Sequence, residues 1–116
     1  MPDSRIKSVM FADAAILGAF ERLKDGKHEE KELYSQIDEI MKELGKNPDY
    51  GIRLPRKIWP KFYIRKYGVN NLWKCDLPQG WRLVYTVRGN SIEVVSIILE
   101  WFDHAAYERR FGYAER

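Results

Sequence analysis

The chain has 116 residues, 45% of them hydrophobic, and this length predicts one domain, residues 1–116, whose core needs no disulfide or structural metal. Its net charge of +3 is too small to identify a partner, and its single cysteine excludes an internal disulfide. No apolar run approaches the roughly 20 residues that cross a membrane, and the first residues lack the apolar stretch of a signal peptide, so we expect a soluble, cytoplasmic protein.

The N-terminal part predicts a short strand followed by two helices. Ile6 to Ala12 carries apolar anchors that suit an edge strand, and Asp13 is a favourable N-cap for a helix from Ala14 to Lys24. A second helix from Glu29 to Leu44 has apolar residues at helical spacing, which makes an amphipathic stripe. We expect the two helices to form a hairpin whose apolar stripes cover one face of a sheet.

The segment from Gly51 to Cys75 is basic, because no acidic residue occurs between Asp49 and Asp76. Pro55 and Pro60 argue against a continuous helix, so we expect a structured loop. Basic residues interleaved with aromatic ones suit single-stranded nucleic acid, since cations meet phosphates and flat rings accept bases. The alternative is a solvated loop held by aromatic side chains that pack into the domain. The candidate RNA-binding residues here are Arg53, Arg56, Lys57, Lys61, Arg65 and Lys66.

Three apolar runs predict an antiparallel three-strand meander. The runs are Leu72–Leu77, Trp81–Arg88 and Ser91–Trp101, and the turn residues Pro-Gln-Gly and Gly-Asn separate them. The first two runs alternate between apolar and polar positions, so each has one apolar face. The third run lacks this alternation, which predicts burial on both sides and a central or most covered position. The sequence thus predicts an α+β fold, in which a helical hairpin packs on a small antiparallel sheet.

The polar face of the first two meander strands concentrates charge. If Leu77 pairs with Trp81 across the turn, Asp76 lies opposite Arg82, and Lys74 lies diagonal to Arg82 on the same face. A slip of one residue would turn these charges into the core, so the pattern itself favours this register. The arrangement has a structural interpretation, an ion pair between Arg82 and Asp76, and a functional one, a cationic binding site.

The last part of the chain predicts a short helix with a polar side. Asp103 is a favourable N-cap, and His104, Tyr107 and Arg110 follow at a spacing of three, which places them on one side of a helix. A lone histidine is more often structural than catalytic, but this one begins a polar stripe directly after the last strand. The two histidines and one cysteine of the chain form no metal-ligand pattern, so we expect no metal and no cofactor.

The order of these parts, together with two motifs in the meander, resembles the RelE/ParE superfamily of toxins. The motifs are Leu72-Trp73-Lys74 to Leu77 and Gly80-Trp81-Arg82-Leu83-Val84-Tyr85, which are similar to the family's aromatic-Lys-x-x-Leu and Gly-Tyr-Arg-apolar-apolar-Tyr strands. The resemblance is closest from Leu72 to Val95, and the order of the helices extends it over most of the chain. It implies a single RelE-like domain.

The RelE branch of this family consists of small ribonucleases that cut mRNA on the ribosome and are held in check by an antitoxin. The resemblance implies the same activity here, with Arg82 contacting the scissile phosphate and Lys74 sharing that role. It matches Tyr107 to the family's C-terminal tyrosine and His104 to a histidine that some members use, and leaves open which is base or acid. Asp76 departs from the pattern, since some members have a second lysine there. Arg110 is a further candidate RNA contact.

Two other functions are open to the same sequence. A ParE-like protein would inhibit DNA gyrase and needs no nuclease residues, whereas a non-catalytic RNA-binding module would use the basic loop and release no product. The combination of Lys74, Arg82, His104 and Tyr107 favours the nuclease. The expected partners are mRNA, the ribosome and a cognate antitoxin protein, while the oligomeric state and any codon preference stay open.

Overall fold

The computed structural model of the chain describes residues 3–112. It contains a five-stranded mixed sheet with helices on both faces. The expected domain of residues 1–116 extends beyond this described part at both ends. The strands are β1 Ile6–Phe11, β2 Ile52–Arg53, β3 Trp73–Asp76, β4 Arg82–Gly89 and β5 Glu93–Phe102. The helices are α1 Ala14–Leu23, α2 His28–Lys46, α3 Lys61–Tyr67 and α4 His104–Phe111.

The strands lie in the order β1-β5-β4-β3-β2. The meander β3-β4-β5 is antiparallel, as predicted, and β1 lies at an edge, also as predicted. However, β1 pairs with β5 in parallel, so the sheet is mixed and not antiparallel throughout. A parallel pair needs a long crossover, and here helices α1 to α3 and strands β2 to β4 separate the two strands in the chain.

Strand β5 has the interior position that its mostly apolar run, which lacks clean alternation, predicted. It lies between β1 and β4, and its consecutive residues Ile98 and Leu99 are both fully buried. Because successive side chains of a strand point to opposite faces, burial of both means that both faces of β5 are covered. Strand β4, however, occupies the middle of the sheet order.

The helical hairpin covers one face of the sheet, as expected. Helix α1 begins where predicted, because an Asp13 carboxylate oxygen accepts a hydrogen bond from the Ile16 N–H at 2.9 Å. Helix α2 runs past the predicted end at Leu44 and continues through Gly45 to Lys46. Its stripe packs against the sheet in a cluster that we call the hairpin core. The buried members of the hairpin core are Phe20, Leu33, Ile37, Ile40, Leu44, Cys75, Leu77, Leu83, Tyr85 and Ile98.

A second cluster, the opposite core, lies on the other face, where α3 and α4 pack. Its buried members are Leu54, Tyr63, Val69, Leu72, Val84, Leu99, Phe102, Tyr107 and Phe111. Helix α3 corrects the expectation of a loop throughout this segment. Pro60 occupies its N-cap position, where proline interrupts no helical hydrogen bond, and Gly68 ends it with a left-handed φ of 61°. The short strand β2, which pairs with β3, was not predicted either.

Candidate functional site

The charged face of the meander has the predicted register. Asp76 lies directly opposite Arg82, and Lys74 lies opposite Val84, so the three charged residues share one face of strands β3 and β4. This is the face of the opposite core, since Val84 belongs to that cluster. The prediction that something packs over part of this polar face is also confirmed, because α4 lies across it.

A single carboxylate oxygen joins the two cations. Oδ1 of Asp76 lies 2.7 Å from Lys74 Nζ and 3.0 Å from Arg82 Nε. Only 17% of the Lys74 side chain and 18% of the Arg82 side chain are exposed, whereas Asp76 is more open. Two cations that face one oxygen at the mouth of a covered site form the kind of arrangement that binds an anion such as phosphate.

The turn before β4 helps to position the Arg82 guanidinium through a hydrogen bond. Its Nη1 donates a hydrogen bond to the Gly80 carbonyl at 2.9 Å. Its Nε is buried and makes no well-aligned hydrogen bond, even though the Asp76 oxygen is 3.0 Å away. A buried donor without a well-aligned acceptor costs free energy. An anion that accepted a well-aligned hydrogen bond from this N–H would therefore gain binding free energy that the Asp76 carboxylate does not supply.

Tyr107 forms one wall of the site. The centre of its ring lies 5.9 Å from Lys74 Nζ and 5.6 Å from Arg82 Cζ, which are cation–π distances. The residue is only 2% exposed, and its ring stacks on Phe111 with 4.5 Å between centroids. The ring therefore helps to position the two cations, and its predicted role as base or acid stays a prediction.

His104 lies at the rim of the same site. It is the first residue of α4, it is exposed, and its Nε2 lies 3.0 Å from the Glu108 carboxylate one turn along the helix. A Cβ added to Gly80 would lie 3.4 Å from the His104 Cβ, so the histidine adjoins the turn whose carbonyl holds Arg82. The structure thus brings Lys74, Arg82 and Tyr107 into direct contact and places His104 beside them.

Arg110 belongs to a different cluster on the same face. Its guanidinium makes two bonds to Glu100, Nε to Oε1 at 3.2 Å and Nη2 to Oε2 at 2.9 Å, and it lies 4.1 Å from the centre of the Phe62 ring. The Tyr63 hydroxyl donates to the same carboxylate at 2.6 Å. Burial, followed by the hydrogen bond to Glu100, raises the pKa of Tyr63 far above its ordinary value. Sequence reasoning missed Glu100, although an acid within the apolar part of β5 was the available signal.

Three of the six predicted RNA-binding residues of the basic segment lie over aromatic rings. Arg53 pairs with Trp73 in the sheet, and its guanidinium lies 5.7 Å from that indole on the hairpin face. Arg56 lies 5.2 Å from the Trp59 ring, and Lys66 lies 5.3 Å from the Tyr67 ring. The remaining three are exposed, and they are Lys57, Lys61 and Arg65. Their role in RNA binding stays a prediction.

From residue 3 to residue 112, no helix combines the length and apolarity needed to span a bilayer. Over the same residues, histidine, cysteine and acidic side chains nowhere gather in a group of three or more suited to a metal ion.

Comparisons of the chain with protein-family profiles, with curated proteins and with solved structures find no match.

Proposed function

We propose that this protein is a RelE-like endoribonuclease that cuts mRNA on the ribosome. The observation that carries the proposal is the convergence of Lys74 Nζ and Arg82 Nε on one Asp76 oxygen, at 2.7 and 3.0 Å. A phosphate oxygen in that place would meet both cations in a site that is largely covered. Covered sites strengthen such contacts, because less water screens them.

The reaction needs charge stabilisation and two proton transfers. The 2′-oxygen forms a bond to phosphorus as its proton passes to a base, and the bond from phosphorus to the 5′-oxygen breaks as that oxygen takes a proton from an acid. The products are a 2′,3′-cyclic phosphate and a 5′-hydroxyl. Arg82 and Lys74 would stabilise the negative charge that develops on the phosphate oxygens.

His104 is the better candidate for one of the proton transfers. An imidazole has the ordinary pKa closest to neutrality, so it exchanges protons most readily at physiological pH. Glu108, at 3.0 Å from Nε2, would orient the ring. Tyr107 keeps its candidacy for the other transfer because its ring touches both cations.

The order of elements supports the same assignment. The chain runs from an edge strand through a helical hairpin and a basic segment to a meander and a final helix, which is the order on which the resemblance to RelE rests. The proposal carries the partners of that branch, namely mRNA, the ribosome and an antitoxin protein, and a cytoplasmic location where they meet.

Replacing Arg82 tests the proposal directly. We expect Arg82→Ala to lower the rate of mRNA cleavage by about 100- to 1,000-fold, the usual cost of losing a donor to a developing oxyanion. The measurement is the mapping of mRNA 5′ ends on programmed ribosomes, with circular dichroism to verify folding. Arg22→Ala, on the exposed side of α1, is the matched control. Cleavage by folded Arg82→Ala at the wild-type rate would remove Arg82 from the site.

A non-catalytic RNA-binding module is the second candidate, and Asp76 is the observation that favours it. Its carboxylate already contacts the two cations that a nuclease would use and offsets one of their two charges. Such a module would release no product. In a plot of the logarithm of its RNA-binding constant against the logarithm of the salt concentration, the slope would be roughly −0.7 per phosphate neutralised. A ParE-like gyrase inhibitor differs from both, because its expression would cause DNA damage without stopping translation first.

A further inference from the structure

The segment just before β2 places two apolar side chains beside the proposed cleavage site. A small cavity of about 170 Å³ is lined by residues 50–52 and 74–76, and so adjoins both Lys74 and Asp76. Tyr50 is 48% exposed and Ile52 is 53% exposed. Single exposed apolar residues are common, but here a tyrosine and an isoleucine share a cavity with Lys74, one of the two cations of the proposed phosphate site.

The register of the sheet fixes the side to which Ile52 points. Ile52 pairs with Lys74 in antiparallel strands, so the two side chains lie on the same face and next to each other. The neighbouring residue, Arg53, pairs with Trp73 and points to the hairpin face instead. Ile52 therefore extends the cationic site toward the β2 edge of the sheet with an apolar surface.

The core holds this segment rigidly. The buried Tyr85 hydroxyl donates to the Pro48 carbonyl at 2.7 Å and accepts from the Gly51 N–H at 3.0 Å. A Cβ on Gly51 would lie 2.5 Å from the Lys74 carbonyl oxygen, so the backbone here approaches β3 more closely than any other residue type allows. Tyr50 and Ile52 flank this anchored glycine, and their positions are set before any ligand arrives.

We propose that Tyr50 and Ile52 form a platform for a nucleobase of the RNA, adjacent to the scissile phosphate. This inference rests on the proposed function for the identity of the ligand. Phosphate contacts from Arg82 and Lys74 carry no sequence information, whereas unstacked RNA bases are recognised on aromatic side chains. The cavity is smaller than the roughly 300–1,000 Å³ of typical ligand sites, and its size suits one base. Stacking that base would fix the nucleotide in register for attack by its 2′-oxygen.

The test uses an RNA that cannot be cut. Its probe is an oligoribonucleotide with 2-aminopurine beside a central 2′-O-methyl nucleotide, and stacking of the probe base on a ring quenches its fluorescence. We expect wild-type protein to quench the probe and Tyr50→Phe to quench it equally. Tyr50→Ala would lose the quenching and bind the RNA roughly 5- to 150-fold more weakly, the range for loss of one stacked base. Ile92→Ala, an exposed isoleucine in the turn before β5, is the control.

Cleavage kinetics separate failure of the platform from failure of the nuclease. If wild-type protein cuts mRNA but Tyr50→Ala has the same KM, kcat and cleavage positions, the platform is overturned and the nuclease stands. If wild-type protein cuts nothing yet quenches the probe through Tyr50, the nuclease is overturned and the platform stands as part of an RNA-binding site. If Tyr50→Phe fails like Tyr50→Ala, stacking is overturned as the mode of binding.

Discussion

The two faces of the sheet use the same strands for opposite purposes. On the hairpin face, the members of the hairpin core are aliphatic, aromatic or cysteine side chains, and the fully buried Ser96, which pairs with Val9 and Val87, is polar but uncharged. The opposite face is also packed, but it contains two charged clusters, Lys74–Asp76–Arg82 and Glu100–Arg110 with Tyr63. The hairpin face therefore stabilises the fold through apolar burial, whereas the opposite face holds charges partly away from water, which lowers the stability of the fold.

Holding charges in covered positions is expensive, because each ion loses hydration that its partner only partly replaces. The Lys74–Arg82 pair is over four-fifths covered, and two cations share one carboxylate oxygen. Such an arrangement is poor as a source of stability. We infer that the hairpin core offsets this cost, and three substitutions test the division between the faces.

The largest effect should come from the hairpin face. Leu44 is fully buried in the hairpin core, so Leu44→Ala should lower the free energy of unfolding by about 2–5 kcal/mol, from lost burial and the cavity that remains. Urea denaturation measures the change. Leu17→Ala, on the exposed side of α1, should change stability by less than about 0.5 kcal/mol. Equal effects at the two positions would contradict the proposed role of the hairpin core.

An intermediate effect should come from the buried hydrogen bond of the opposite face. Tyr63→Phe removes the donor to Glu100 at 2.6 Å and should cost about 1.5–3 kcal/mol at neutral pH, the usual value for a hydrogen bond to a charged group. Tyr50→Phe, whose side chain is half exposed, is the control.

The same substitution carries a pH signature. The folded pKa of Tyr63 is raised above its ordinary value near 10.0, mainly by burial, so folding favours the protonated phenol. Its contribution to stability is therefore complete below about pH 10 and decreases as the pH rises above that value. The stability difference between wild type and Tyr63→Phe should shrink from pH 9 toward pH 11. A difference that stayed constant over this range would show that Tyr63 does not titrate with unfolding.

The smallest effect on stability should come from Asp76, and here the substitution should at the same time strengthen RNA binding. Its carboxylate is half exposed, and an asparagine oxygen in its place can still accept hydrogen bonds from the two cations, so Asp76→Asn should cost about 1 kcal/mol of stability. The same change removes a negative charge from the phosphate position and should tighten binding of non-cleavable RNA by about 5-fold, or roughly 1 kcal/mol. Asp25→Asn, after α1, is the matched control. Weaker binding by Asp76→Asn would mean that Asp76 orients the cations for RNA and does not compete with it.

The pairing of the first two meander strands could be predicted from the sequence because their alternation of apolar and polar residues leaves one register that keeps their charges out of the core. Asp76 therefore lies opposite Arg82, as the pattern required. The hairpin was equally clear from its apolar spacing and the Asp13 cap. The cap of the last helix was predicted as well. Asp103 fixes the start of α4, the helix that carries Tyr107 to Lys74 and Arg82.

The rest depended on contacts between distant parts of the chain. Strand β2 has two residues, too few to show a period, so neither it nor the place of Tyr50 and Ile52 could be read from the pattern. Helix α3 was obscured by prolines that in fact precede its first turn. The register alone could not show that one Asp76 oxygen faces both cations, because that depends on side-chain rotamers. The parallel pairing of β1 depends on the path of the whole chain.

The position of Cys75 has a practical consequence for handling this protein. Its side chain lies in the hairpin core, and burial raises the pKa of its thiol to about 12. Maleimide and iodoacetamide reagents attack the thiolate, which such a residue almost never presents at neutral pH. A second cysteine introduced at an exposed position can therefore carry a fluorophore or spin label without removal of the native one.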